Sequence, residues 1–154
     1  MTIVLDFDGT CVANEYPRIG AEIGATKILK ELVDNGHQLV LFTMRSNRRT
    51  LLSRLLNYHS EYDNSLTDAV NWFGKRKIPL YGIQKEPNQS TWLGSPKVKG
   101  ELIIDDSALG CPLIYPLGKG KGCRPYVDWQ KVRDNLVRLG VLPENKNSRK
   151  LYVE

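Results

Sequence analysis

Ile3-Val4-Leu5-Asp6-Phe7-Asp8-Gly9-Thr10 is the stretch on which the reading of this chain turns. A short apolar run has the make-up of a buried strand, and this one ends in two carboxylates two positions apart. Residues i and i+2 of a strand share a face, so Asp6 and Asp8 can converge on one ion or one phosphate. Two like charges held this close repel unless a cation stands between them. Gly9 lets the backbone turn sharply beside a ligand. Carboxylates placed where a strand runs out mark a site rather than a core.

Three further pieces follow in order. Thr43 ends the apolar run Leu39-Val40-Leu41-Phe42, Lys97 lies in Gly94-Ser95-Pro96-Lys97, and Asp105-Asp106 end the run Leu102-Ile103-Ile104. In open parallel sheets, ligands bind beyond the carboxyl ends of the strands, where strand order switches. A single sheet would therefore bring these groups to one rim.

In this order, DFDGT at 6–10, LFTMRS at 41–46, SPK at 95–97 and IIDD at 103–106 resemble the four signatures of the haloacid dehalogenase-like (HAD) phosphohydrolase superfamily. The resemblance spans about residues 1–110. It implies an α/β, three-layer Rossmann-like fold with a central, mainly parallel sheet, and a magnesium-dependent phosphatase. By that resemblance Asp6 is the nucleophile, forming an aspartyl-phosphate. Asp8 is the general acid–base, and a second Asp at this position favours phosphate esters over dehalogenation. Thr43 donates a hydrogen bond to a phosphoryl oxygen, and Lys97 offsets charge on Asp6 and the phosphoryl group. Gly9 and Thr10 count with the substrate-binding loop. Magnesium takes oxygen ligands, here expected from the Asp6 side chain, the Asp8 backbone carbonyl, Asp105 and Asp106, the last directly or through water.

HAD phosphatases often carry a cap inserted after the first or second motif. Only a helix and a strand fit between Thr10 and Thr43, and 44–96 holds two helices and a strand that the core itself requires. The chain thus resembles the capless subclass, whose open site admits large substrates or relies on a loop or partner as lid.

The periodicity predicts strands over about 2–6, 38–42, 80–84, 101–105 and 112–115. Helices are expected over about 21–35, 47–57, 66–76 and 128–139, with Ser65-Leu66-Thr67-Asp68 as a capping box for the third. Residues 1–142 form one domain, with 143–154 as a polar tail.

Several residues keep a second reading. Thr43 also suits a helix N-cap, Lys99 rivals Lys97, and the acids could bind metal without catalysis. Lys97 precedes Asp105 by the eight positions expected of capless relatives, which favours it. Arg45 is a candidate to grip the substrate, whereas Arg48, Arg49 and Arg54 suit a solvated helix face. The loop Gly118-Lys119-Gly120-Lys121-Gly122-Cys123-Arg124 is expected on the same rim as the site, where Lys119, Lys121 and Arg124 could hold an anion, or as a plain surface loop. Residues 11–19 are the other candidate wall. Trp92, Tyr126 and Trp129 are read as packing.

The net charge is +5, and setting the four site acids aside leaves +9 on the remainder. That balance suits an anionic substrate, small or macromolecular, as well as simple solubility. A pI of 9.1 admits nucleic acid, but no nucleic-acid motif supports it. No apolar run approaches the roughly 20 residues of a membrane helix, and with the first strand starting at about residue 2 no signal or transit peptide is expected. Cys11, Cys111 and Cys123 are scattered, with no CxxC. A cytoplasmic protein without disulfides is expected. Two rival functions stand beside the phosphatase. One is a polynucleotide or nucleotide end phosphatase, and the other a non-catalytic phospho-acceptor like a response-regulator receiver. The substrate and oligomeric state are not legible.

Overall fold

A computed structural model describes residues 1–47, 63–91, 94–118 and 123–144. Its elements are β1 (Thr2–Leu5), α1 (Ala25–Asp34), β2 (Gln38–Leu41), α2 (Ser65–Lys75), β3 (Gly82–Ile83), a 3₁₀ turn (Pro87–Thr91), β4 (Leu102–Ile104), β5 (Leu113–Ile114), β6 (Tyr126–Val127) and α3 (Trp129–Arg138). The central sheet has the order β3-β2-β1-β4, every pair parallel. Helices flank it, giving an α/β architecture that fits the three-layer Rossmann-like fold expected, with no cap among the described residues.

The strands alternate as a sheet buried on both faces requires. Ile3, Leu5, Leu39 and Leu41 join the main core with Ile28, Leu29 and Leu32 of α1, Trp72 and Phe73 of α2, and Val132 and Leu136 of α3. Val4 and Val40 point the other way, against Val98 and the partly buried Tyr81.

Register fixes the rim. Leu5 lies opposite both Leu41 and Ile104, so the next residues, Asp6, Phe42 and Asp105, leave the sheet at one level. The Asp6 N–H bonds the Ile104 carbonyl at 3.1 Å, and the Phe42 N–H bonds the Leu5 carbonyl at 2.8 Å. The chain steps from β1 to β2 on one side and places β4 on the other. The switch point of strand order thus falls between Asp6 and Asp105.

Three expectations are corrected. The first helix begins at Ala25 rather than near 21 because the preceding residues pair with the loop after β1. Glu22 bridges Val12, and the Ala13 N–H bonds the Ala21 carbonyl at 2.9 Å. The Glu22 carboxylate then accepts from the Thr26 N–H and hydroxyl. The predicted capping box at Ser65 does not form. Ser65 is already inside α2, its hydroxyl donates to the Ser46 carbonyl, and Asn47 Oδ1 accepts from the Thr67 N–H instead. β5 does not extend the parallel sheet but pairs antiparallel with β6, a strand the sequence does not announce. The stretches on either side of β5 are too short for the crossover that a parallel pair requires. The helix expected at 47–57, with Arg48, Arg49 and Arg54, lies outside the described residues, as does the tail from 145. The stop of the last helix at Gly140 and its start at Asp128 are close to the observed ends, with Asp128 accepting from the Lys131 N–H. No helix among the described residues is long and apolar enough to cross a membrane.

Candidate active site

Asp6, Asp105 and Asp106 each present a carboxylate oxygen, and these atoms lie within 4.8 Å of one another. They stand at the carboxyl ends of β1 and β4, astride the switch point. Asp6 is partly buried, and its pKa is pushed up to about 7, first by burial and then by the charges of Asp105, Asp106 and Asp8. Burial and the neighbouring Asp105 also raise Asp106. Three hard oxygen donors converging under mutual repulsion are the donor set a magnesium-sized cation would fit. Ser107 steadies Asp105, donating from both its N–H and its hydroxyl to Oδ1.

Thr43 lies just past β2 and lines the same cleft. Its loop is clamped by Gln84, which sequence reasoning missed. Gln84 Oε1 accepts from the Thr43 N–H at 3.0 Å, while Nε2 donates to the Thr43 and Arg45 carbonyls at 2.6 and 3.0 Å. Gln84 adopts φ +61° to do this, and a left-handed glutamine has no sequence signature. The Thr43 hydroxyl accepts from the Arg45 N–H at 3.3 Å, which leaves its own proton to offer to a bound oxyanion.

Arg45, expected as a candidate to grip the substrate, does line the cleft, but its guanidinium is committed within the protein. Its side chain is 1% exposed and forms a two-pronged pair with Asp8, Nε to Oδ2 and Nη2 to Oδ1, both at 2.7 Å. The guanidinium lies beside the rings of Phe7 and Tyr16, 5.0 and 5.2 Å from their centroids. It is a buried partner of Asp8 rather than an open anion hook.

Gly9 and Thr10, expected to meet substrate, both face inward instead. The Gly9 N–H is spent on the Val12 carbonyl at 2.7 Å, and its carbonyl accepts from the Val127 N–H. Gly9 has φ +80°, and a Cβ there would stand 2.4 Å from Asp106 Oδ2. The position therefore needs glycine so that Asp106 can approach. Thr10 is fully buried, its hydroxyl accepting from the Asp106 N–H at 3.0 Å. Trp129, read as packing, also donates Nε1 to the Thr10 carbonyl at 2.7 Å.

Lys97 is exposed on the segment that lays Val98 over the second face of the sheet. It is absent from the cleft wall and from the charges acting on Asp6. Its rival Lys99, whose N–H donates to Gln89 Oε1 at 3.0 Å, is likewise absent from the cleft wall. Lys119 and Lys121 lie outside the described residues. Arg124 does line the cleft, with Asp6, Asp8, Asp105, Asp106, Thr43 and the exposed Phe42 and Met44. Asn14 and Tyr16, from the loop read as a candidate wall, line it too, as do Arg45 and Ser107. At about 560 Å³ the cleft is ample for a small phosphorylated molecule.

No family model matches the chain, and no curated protein does. Among solved structures, the chain is similar to a conserved protein from Bacteroides thetaiotaomicron. The two are 28% identical, with a TM-score of 0.61 over 100% of this chain and 98% of the other. Its description names no activity.

Proposed function

We propose that this protein is a capless, magnesium-dependent phosphatase of the HAD-like class, acting on a phosphomonoester through an aspartyl-phosphate on Asp6. The observation that carries the reading is the convergence of Asp6, Asp105 and Asp106 within 4.8 Å at the strand-order switch, in a cleft that also holds Asp8 and Thr43.

Asp6, Asp105 and Asp106 would hold the ion, joined by the Asp8 carbonyl if the resemblance extends to it. Bound there, magnesium neutralises the clustered carboxylates and screens an incoming phosphate from them. A carboxylate oxygen of Asp6 attacks phosphorus, and the bond from phosphorus to the ester oxygen breaks. Asp8 gives a proton to the departing alkoxide, which leaves as the alcohol. Water then attacks the phosphoryl group, Asp8 takes a proton from that water, and the bond to Asp6 breaks, releasing phosphate. The Thr43 hydroxyl donates to a phosphoryl oxygen in both displacements. Arg124, at the rim, is the described cation best placed to meet the anionic substrate, a role expected from the sequence for Lys97 nearer the nucleophile.

Phosphate release from an aryl phosphate, with magnesium and with chelator, tests this for the wild type and Asp6→Asn. Turnover that requires magnesium and vanishes in the variant is the expected result. Turnover that survives Asp6→Asn, or that is indifferent to chelator, would rule the mechanism out. So would a wild type that neither turns over nor accepts a phosphoryl group on Asp6 from an acyl-phosphate donor.

A further inference from the structure

Arg45 has five N–H groups, and each has an acceptor. Nε and one N–H of Nη2 hold Asp8 at 2.7 Å, and the other N–H of Nη2 reaches the Arg18 carbonyl at 2.8 Å. Nη1 donates to the Pro17 carbonyl at 2.9 Å and the Ser65 carbonyl at 3.3 Å. A guanidinium with every donor committed cannot bond a substrate without first giving up a protein partner.

Three of those partners are backbone atoms from two separate segments, the loop after β1 and the start of α2. They lock the plane of the guanidinium, which presents its remaining fork to Asp8. A fork-on-carboxylate pair fixes both distance and plane. It occupies two of the roughly four acceptor positions of a carboxylate, and Asp8, still partly exposed, keeps its others on the cleft side.

We propose that Arg45 is the positioning residue of Asp8. It holds the carboxylate in one plane against the cleft, so that a proton passes between Asp8 and the reacting oxygen without a search over side-chain rotamers. The inference rests on the phosphatase reading, but the geometry it invokes does not. Lysine in place of Arg45 keeps the charge and loses the planar fork, which separates orientation from electrostatics.

The test is a cycle of Arg45→Lys, Asp8→Asn and the double variant, assayed for aryl phosphate turnover with magnesium. Nuclear magnetic resonance follows the Arg45 Nε–H in parallel. Arg45→Lys is expected to lower kcat by about 10- to 100-fold, the scale of an ångström-level misplacement, with KM within about twofold. In the Asp8→Asn background the same change is expected to cost less than about threefold. The Nε–H is expected to exchange slowly in the wild type and rapidly in Asp8→Asn. A rise in KM with kcat held would make Arg45 a substrate contact and overturn the proposal. An equal loss of kcat in both backgrounds would make it a general loop strut and overturn it as well. If the wild type neither turns over nor accepts a phosphoryl group on Asp6 from an acyl-phosphate donor, the phosphatase reading falls by itself, and the exchange of the Nε–H decides the pairing: fast exchange in the wild type overturns it.

Discussion

Thr10 and Asp106 are 96 positions apart, and the Asp106 N–H donates to the Thr10 hydroxyl at 3.0 Å. The bond ties the loop after β1 to the loop after β4 across the switch point. Trp129 holds the other side of Thr10 through its carbonyl, so α3 anchors the same joint. Thr10→Val removes the acceptor at nearly constant volume and leaves the part-buried Asp106 N–H without it. A loss of about 1–3 kcal/mol is expected in denaturant unfolding, together with weaker magnesium binding because Asp106 loses its anchor. Thr10→Ser, which keeps the oxygen, should recover most of both. A Thr10→Val variant with wild-type stability would show that the bond contributes nothing.

Gly9 leaves the room that the carboxylate of Asp106 occupies. Gly9→Ala places a methyl group 2.4 Å from Asp106 Oδ2 at a residue with φ +80°. The left-handed conformation alone costs an L-residue about 1–2 kcal/mol, and Asp106 must also move. Calorimetric titration is expected to show magnesium affinity reduced at least tenfold relative to wild type. Unchanged affinity would mean that Asp106 is not among the ligands.

The pH dependence has a worked sign. Asp6 and Asp106 have folded pKa values above their unfolded ones, Asp6 at about 7. Their protonated forms therefore favour the folded state, fully so below the ordinary carboxylate value of about 4. That stability drains away as pH rises from there through about 7. Thermal melts in chelator should fall across this window, and magnesium should restore most of the loss at its upper end. Asp6→Asn removes the main titrating group, so its melting temperature in chelator should depend much less on pH. A chelated wild type that gains stability from pH 5 to 7 would contradict the account.

Arg133 and Glu31 make a second forked pair, at 2.9 and 2.6 Å, joining α3 to α1 well away from the cleft. The Arg133 guanidinium holds Glu31 below its usual range, so this contribution is present at neutral pH and is lost as pH falls through that lowered value. Arg133→Met keeps much of the packing and breaks the pair. It is expected to cost about 1 kcal/mol and to leave turnover as it was. A marked fall in kcat would mean that α1 and α3 transmit more to the site than Trp129 alone carries.

Much of the site is legible in the amino-acid order. Asp6, Thr43 and Asp105 each follow an apolar run, and parallel pairing in register brings the ends of such runs level, as Leu5, Leu41 and Ile104 show. The amino-acid order leaves open which of the neighbouring polar groups turn outward. Gly9, Thr10 and Arg45 look like ligands because they stand beside ligands in the chain. Each is instead committed to another part of the protein.

By itself, then, the sequence determined the α/β class, the central strands and the carboxylates that gather at their ends, because strand period and strand termini are local properties of the chain. Only the tertiary structure decided that Arg45 serves Asp8, that Gly9 yields its space to Asp106, and that β5 turns away to pair with β6. It also left Lys97 outside the cleft. The physical reason is that a hydrogen-bond donor is free or spent according to which acceptors are folded against it. For Arg45 those acceptors come from residues 8, 17, 18 and 65, a grouping that no spacing along the chain encodes.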